Sequence, residues 1–92
     1  MNLPREIRLS QNYPNPLNPS TSFDLDLPHA GFVTINIYNE LGQLVDKAID
    51  GSLAAGHHRI NWTPRNLSSG VYYYQLSLDN DASFSKKMLL IK

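Results

Sequence analysis

The chain has 92 residues, no cysteine, and eight Lys plus Arg against eight Asp plus Glu, so its formal charge is zero. A chain this short has room for one core and buries only roughly 60–65% of the surface its unfolded form exposes, which excludes a second lobe and leaves little volume for a deep catalytic cleft. Balanced charge without long runs of either sign excludes nucleic-acid or membrane binding through bulk charge, and the missing thiols exclude disulfide staples, thiolate metal sites and a Cys nucleophile.

Met1 ahead of Asn2-Leu3-Pro4 is consistent with an initiator placed on a domain excised from a larger protein, although a natural start reads the same way; no charged start leads into an apolar leader. From there the dominant signal is period-two alternation broken by turn residues, the spacing of an all-β sandwich of about seven strands. Glu6 to Gln11 reads as the first strand, with Ile7 and Leu9 alternating against polar neighbours. Residues 12–20 carry Pro14, Pro16 and Pro19; lost donors and fixed φ exclude a central strand and predict an extended polyproline-like loop along the sandwich edge.

Phe23, Leu25 and Leu27 alternate with Ser22, Asp24 and Asp26 as a strand with one dry face. After Pro28-His29-Ala30-Gly31, Val33, Ile35 and Ile37 share one face, while Phe32, Thr34, Asn36 and Tyr38 share the other. Asn39-Glu40-Leu41-Gly42 supplies a tight hairpin, with Gly42 free to adopt positive φ. The fourth strand, Gln43 to Ile49, has an irregular pattern because Lys47 falls between Val45 and Ile49, and Asp50 to Gly56 reads as a connection. His58, Ile60 and Trp62 then point inward and His57, Arg59 and Asn61 outward; beyond Gly70, Tyr72, Tyr74, Leu76 and Leu78 line one face of a long strand. Asp79-Asn80-Asp81 turns the chain into a last strand, Ser83 to Ile91. Its apolar run, Met88 to Ile91, is too short to span a bilayer.

Candidate chemistry is sparse. His57 and His58 are adjacent on a strand and point to opposite faces, so they cannot share a metal, and neither they nor His29 completes a triad with a hydroxyl. Asp24 and Asp26 share a strand face about 7 Å apart, but without a cleft they read as a solvated face rather than a glycosidase pair. Asp79, Asn80 and Asp81 offer oxygens that calcium could use, although turn chemistry alone accounts for them. Alternation places Tyr72 and Tyr74 on one face and Tyr73 on the other, and Ser68-x-Gly70-x-Tyr72 reads as a tyrosine corner. Tyr13, Phe32, Tyr38 and Tyr73 are the outward-facing aromatics, which keeps a carbohydrate-binding or spacer module of a secreted hydrolase as the alternative reading.

Four segments, taken together, carry a resemblance. Leu9-Ser10-Gln11-Asn12-Tyr13-Pro14-Asn15-Pro16-Leu17-Asn18-Pro19-Ser20-Thr21 resembles the opening of the type A C-terminal sorting domain of the type IX (Por) secretion system, found chiefly in Bacteroidota. Tyr38 to Val45 is similar to that family's hairpin, Ser69 to Leu76 to its Ser-Gly-x-Tyr strand, and Lys86 to Lys92 to its basic-then-apolar ending. Leu17 stands where Phe is commonest and Asn39 where Asp is common. The stretch from Gly31 to Leu76 also resembles the immunoglobulin-like domain of flagellar hook-capping proteins.

The resemblance implies a non-catalytic, cofactor-free immunoglobulin-like sandwich, one domain over residues 1–92. It would direct an N-terminal passenger through the periplasm and across the outer membrane to the cell surface or medium. The partners it implies are the type IX translocon, sortase-like surface machinery and the passenger, with no nucleic acid and no direct membrane insertion; exposed edges leave weak self-association open. The sorting-motif candidates are Tyr13, Pro14, Asn15, Pro16, Asn18, Pro19, Gly42, Gly70, Tyr72, Lys86, Lys87, Leu89, Leu90 and Lys92. Lys86, Lys87 and Lys92 are expected to discourage self-pairing of the last strand while leaving its edge open to a receptor.

Overall fold

The computed structural model describes residues 3–91, without the side chain of Ser83. Alternating apolar residues produce seven strands among them: β1 (Arg8–Leu9), β2 (Thr21–Leu27), β3 (Gly31–Tyr38), β4 (Leu44–Leu53), β5 (Gly56–Trp62), β6 (Gly70–Leu78) and β7 (Asp81–Leu90). They form two antiparallel sheets, ordered β1-β2-β5 and β4-β3-β6-β7. The inward residues of both meet in one core: Leu9, Phe23, Leu25 and Leu27 from the smaller sheet face Val33, Ile35, Ile37, Tyr72, Tyr74, Leu76, Met88 and Leu90 from the larger, with Trp62 at the rim. This is the expected β-sandwich, and on β2, β3 and β6 its inward positions are those the period-two pattern selects, with Leu78 half-buried at the end of β6 and Phe84 of β7 exposed.

Three local expectations give way. The first strand is only Arg8–Leu9, because residues 10–12 oppose just two residues of β2 between the Leu9↔Leu25 and Tyr13↔Ser22 pairings. The extra residue bulges, and Ser10 Oγ takes the Asp24 amide at 2.9 Å. The fourth strand runs on through Leu53, since Asp50, Gly51 and Ser52 keep a regular ladder with Thr34, Val33 and Phe32. Its irregular pattern comes from register shifts at Ala48 and Val45, which put Lys47 opposite outward Asn36 while Ile49 stays opposite inward Ile35.

The third departure concerns the proline loop. It lies on the sandwich edge, on the outer side of β7, but as a bonded bridge between the sheets and not as a free polyproline-like run: Tyr13 pairs with Ser22 of β2, and Leu17 forms a parallel bridge with Leu90 of β7. Leu17 contributes a fully buried side chain to the core (0% exposed), because an aliphatic residue between exposed prolines gains more by filling the sandwich end than by facing water.

Candidate recognition surface

The polar side chains that the sequence offers for chemistry, Asp24, Asp26, His29, His57, His58 and Asp79, are engaged structurally. On the outer face of the smaller sheet, directly paired residues form a ladder: Ser22 donates to Asn61 at 2.6 Å, Arg59 Nε to Asp24 at 2.9 Å, and His57 Nδ1 to Asp26. The Arg59 guanidinium hydrogen-bonded to Asp24 holds that carboxyl below its usual range against the opposing effect of desolvation. His58 Nε2 donates to Ala54 O at 2.7 Å and His29 Nδ1 to Ala30 O at 2.9 Å. Among the described residues no group of three or more His, Cys, Asp or Glu side chains could hold a metal ion. Asp79 and Asn80 adopt positive φ in a tight turn, and Asp79 Oδ1 accepts the Phe32 amide at 2.9 Å.

The four segments singled out in the sequence instead converge on one end of the sandwich. β3 leaves the larger sheet there at Tyr38, β4 enters at Leu44, β6 begins at Gly70, and β7 ends at Leu90 opposite Gly70. Glu40, in the hairpin, lies beside Gly70: a Cβ at Gly70 would come within 3.9 Å of its Oε1. Asn39 organises that hairpin, its Oδ1 accepting the amides of Leu41 (3.0 Å) and Gln43 (2.9 Å), and Gly42 closes it at φ 80°.

The proline loop reaches the same end and joins β7. Asn15 Oδ1 accepts the Leu89 amide at 3.0 Å, the Leu17 amide donates to Leu89 O at 2.9 Å, Ile91 donates to Leu17 O at 3.2 Å, and Gln11 Nε2 donates to Lys87 O at 2.8 Å. The N-terminal segment lies at the other end, where Pro4, Arg5, Glu6 and Arg8 flank Asp26 and His57. Two poles result, one carrying the N-terminal segment and one carrying the motifs.

The motif candidates divide into displayed and supporting residues. Tyr13 (81% exposed), Pro14, Asn15, Pro16, Asn18, Pro19, Lys87 and Leu89 (37%) present surface, with Lys86 half-buried. Tyr72 and Leu90 are core residues; Tyr72 donates to Ser68 O at 2.7 Å, the tyrosine-corner bond. Gly42 and Gly70 shape turns, and Lys92 lies outside the described residues. One expectation is corrected: the outer edge of β7 is not left open at its C-terminal half, because the loop already occupies it.

Sequence reasoning passed over the residues that build this pole. Asn12 is buried; its amide donates to the Tyr74 hydroxyl (2.9 Å), and its Nδ2 donates to Thr21 Oγ1 and Pro14 O (both 3.2 Å). Thr21 Oγ1 in turn donates to Pro14 O at 2.9 Å. Leu17, as the single aliphatic residue between Pro14 and Pro19, was the available signal for a core anchor. The outward aromatics do not gather into one patch: Tyr38 and Tyr73 are cross-strand neighbours, but Phe32 lies at the opposite end of β3 and Tyr13 is in the loop.

Compared with known families, residues 11–92 match the secretion system C-terminal sorting domain. The chain belongs to that family. No curated protein matches the chain, and no solved structure does. The match runs from Gln11, whose side chain bonds to Lys87 O of β7, to Lys92, so it takes in the proline loop, the Asn39–Gln43 hairpin, β6 and β7. The sorting domain is a C-terminal export signal of the type IX secretion system, and the protein that bears it is secreted or displayed at the cell surface. As a class such sorting domains are non-catalytic.

Proposed function

We propose that this sorting domain travels as a folded module behind a passenger joined at its N-terminal pole, passes through the periplasm, and is read by the type IX translocon at the motif pole. Sortase-like surface machinery acts afterwards, and the domain itself performs no chemistry. The supporting observation is the convergence of the proline loop, the Asn39–Gln43 hairpin, Gly70 and the end of β7 on one end of the sandwich, with the N-terminal segment at the other. A partner can then grip the signal without meeting the passenger. An edge strand with exposed flanking side chains suits recognition by added backbone pairing.

The test is export of an inert fluorescent passenger carrying an N-terminal signal peptide and residues 2–92, in hosts with and without a working translocon. Translocon-dependent appearance outside the cell is expected, with loss on Tyr13→Ala combined with Lys87→Glu at the motif pole and no loss on His57→Ala at the N-terminal pole. Periplasmic retention of the folded fusion in both hosts would overturn the reading.

A further inference from the structure

The outer edge of β7 already holds a partner, and that partner is minimal. Lys87 O, the Leu89 amide and carbonyl, and the Ile91 amide all point away from β6 and are met by Gln11, Asn15 and Leu17. Leu17 acts as a one-residue parallel strand beside Leu90. Within the tip from Asn15 to Pro19, only the Leu17 side chain is buried; Asn15, Pro16, Asn18 and Pro19 face solvent. The tip is therefore held by one aliphatic side chain and a few hydrogen bonds to the β7 backbone.

The base of the loop is held separately. Tyr13 and Ser22 exchange two backbone hydrogen bonds of 2.9 Å, and Asn12, Thr21 and Pro14 are joined by their own bonds. At the base it is Gln11 Nε2 that reaches β7, at Lys87 O, and not at Leu89 or Ile91, so the tip can leave Leu89 and Ile91 while its base stays fastened to β2. A second copy is a poor occupant. The eight residues between Tyr13 and Ser22 must go out and return, a reach of about 14 Å at full extension, which is shorter than the 17 Å least extent of the molecule.

We propose that the Asn15–Pro19 tip is a detachable strap over a strand-acceptor edge, and that the export partner displaces it with an extended segment. This rests on the motif pole being the surface that is read. The segment runs parallel to β7, bonds to the outward groups of Leu89 and Ile91, and seats one Leu-, Ile- or Val-sized side chain where Leu17 sits. Its residues beside Lys87 are uncharged or acidic, because a basic residue there would face a like charge. The strap keeps the edge from unspecific pairing until such a segment arrives, as natural sheets cover edges that would otherwise recruit strands.

Amide exchange on the isolated domain tests the strap. The amides of Leu17, Leu89 and Ile91 are expected to exchange together, on the order of a hundredfold faster than those of Met88 and Leu90, which pair with Tyr72 and Gly70 of β6. Asn15→Ala, which removes only the side-chain acceptor, should speed Leu89 exchange about tenfold. One common rate for all five amides would overturn the proposal.

The passenger assay tests the acceptor. Leu89→Pro deletes the outward amide and keeps the bonds toward β6, whereas Leu89→Ala changes the side chain and keeps the amide. The expected result is a loss of export at least about tenfold greater for Leu89→Pro than for Leu89→Ala, so that the excess reports the amide and not the side chain. Equal export of both would overturn strand addition while leaving recognition of the pole intact; failure of the unaltered fusion to depend on the translocon would instead overturn that recognition. If Leu89→Pro does not fold, Asn15→Ala decides: export at or above the unaltered level supports displacement, and a tenfold loss shows that the closed strap itself is read.

Discussion

Removing the Tyr74 hydroxyl should cost far more than a surface change, because that one atom serves two backbone groups. It donates to Ser10 O and accepts the Asn12 amide, each at 2.9 Å, where the chain leaves β1 and bulges toward the proline loop. In Tyr74→Phe the Asn12 amide is left unpaired at a residue only 2% exposed, at about 1–3 kcal/mol for a buried orphan. The half-buried Ser10 carbonyl recovers part of its loss from water. The sum is about 2–4 kcal/mol, or roughly 10–20 °C in Tm for a domain of this size. Urea unfolding should show the loss with m unchanged. A loss below about 0.5 kcal/mol, with the Asn12 amide still protected, would refute the reasoning. A pH arm checks it independently. Burial pushes the Tyr74 hydroxyl up to about 12 from 10, against a smaller opposing effect of the Asn12 amide. A folded-state value above the unfolded one stabilises fully below pH 10 and is lost as pH rises toward about 12, so the gap between the two proteins should narrow over that range.

Gly42→Ala should cost about 1 kcal/mol in urea melts, from backbone strain alone, since Gly42 sits at φ 80° with nothing within 4 Å of an added Cβ; Gly42→Asn should cost less. Arg59→Gln should raise the Asp24 carboxyl midpoint followed by NMR, because the guanidinium hydrogen bond is the main cause of its depression. With a depressed value, the stabilising effect is present above the unfolded-state value and disappears as pH falls through the folded one, and added salt should weaken it. Trp62→Phe should cost about 2–3 kcal/mol through loss of the 2.7 Å bond from Nε1 to Asp46 Oδ2, which ties β5 to β4 across the open side of the sandwich. In a double-mutant cycle, Asp46→Ala should then add little.

Period-two alternation made the sandwich legible, and it worked best where both faces were unambiguous. Phe23-x-Leu25-x-Leu27 and Val33-x-Ile35-x-Ile37 went inward as read. It failed where register shifts change parity, at residues 10–12 and at Ala48 and Val45, because a shift depends on the neighbouring strand and leaves no local mark. Asp50-Gly51-Ser52 reads locally as a turn, yet its backbone groups already have partners on β3, and a satisfied ladder outweighs propensity. For the surface, sequence motifs indicated which segments mattered but not that Tyr72 and Leu90 support the pole from inside. The strap was illegible for a related reason. Proline argues against ordinary strand pairing, and only the fold shows that the single residue between Pro16 and Asn18 can pair alone.

The edges of the two sheets are not equivalent, and the difference favours β7 as the docking strand. β1 has two residues, and β4 is interrupted by register shifts at Ala48 and Val45; short and bulged edges are poor templates for an added chain. β5 is regular from Gly56 to Trp62, but its outward side chains are committed to the Ser22, Asp24 and Asp26 ladder. Antiparallel pairing of two β5 strands centred on Arg59 would also set that residue opposite itself, a like-charge contact that opposes association. Among the described residues β7 alone combines outward backbone groups with an aliphatic seat in the core, filled by a segment whose neighbours Asn15, Pro16, Asn18 and Pro19 lie in solvent. A signal that must remain inert beside its passenger and then pair with one partner needs an edge that is covered but not sealed, and the Leu17 strap supplies that condition.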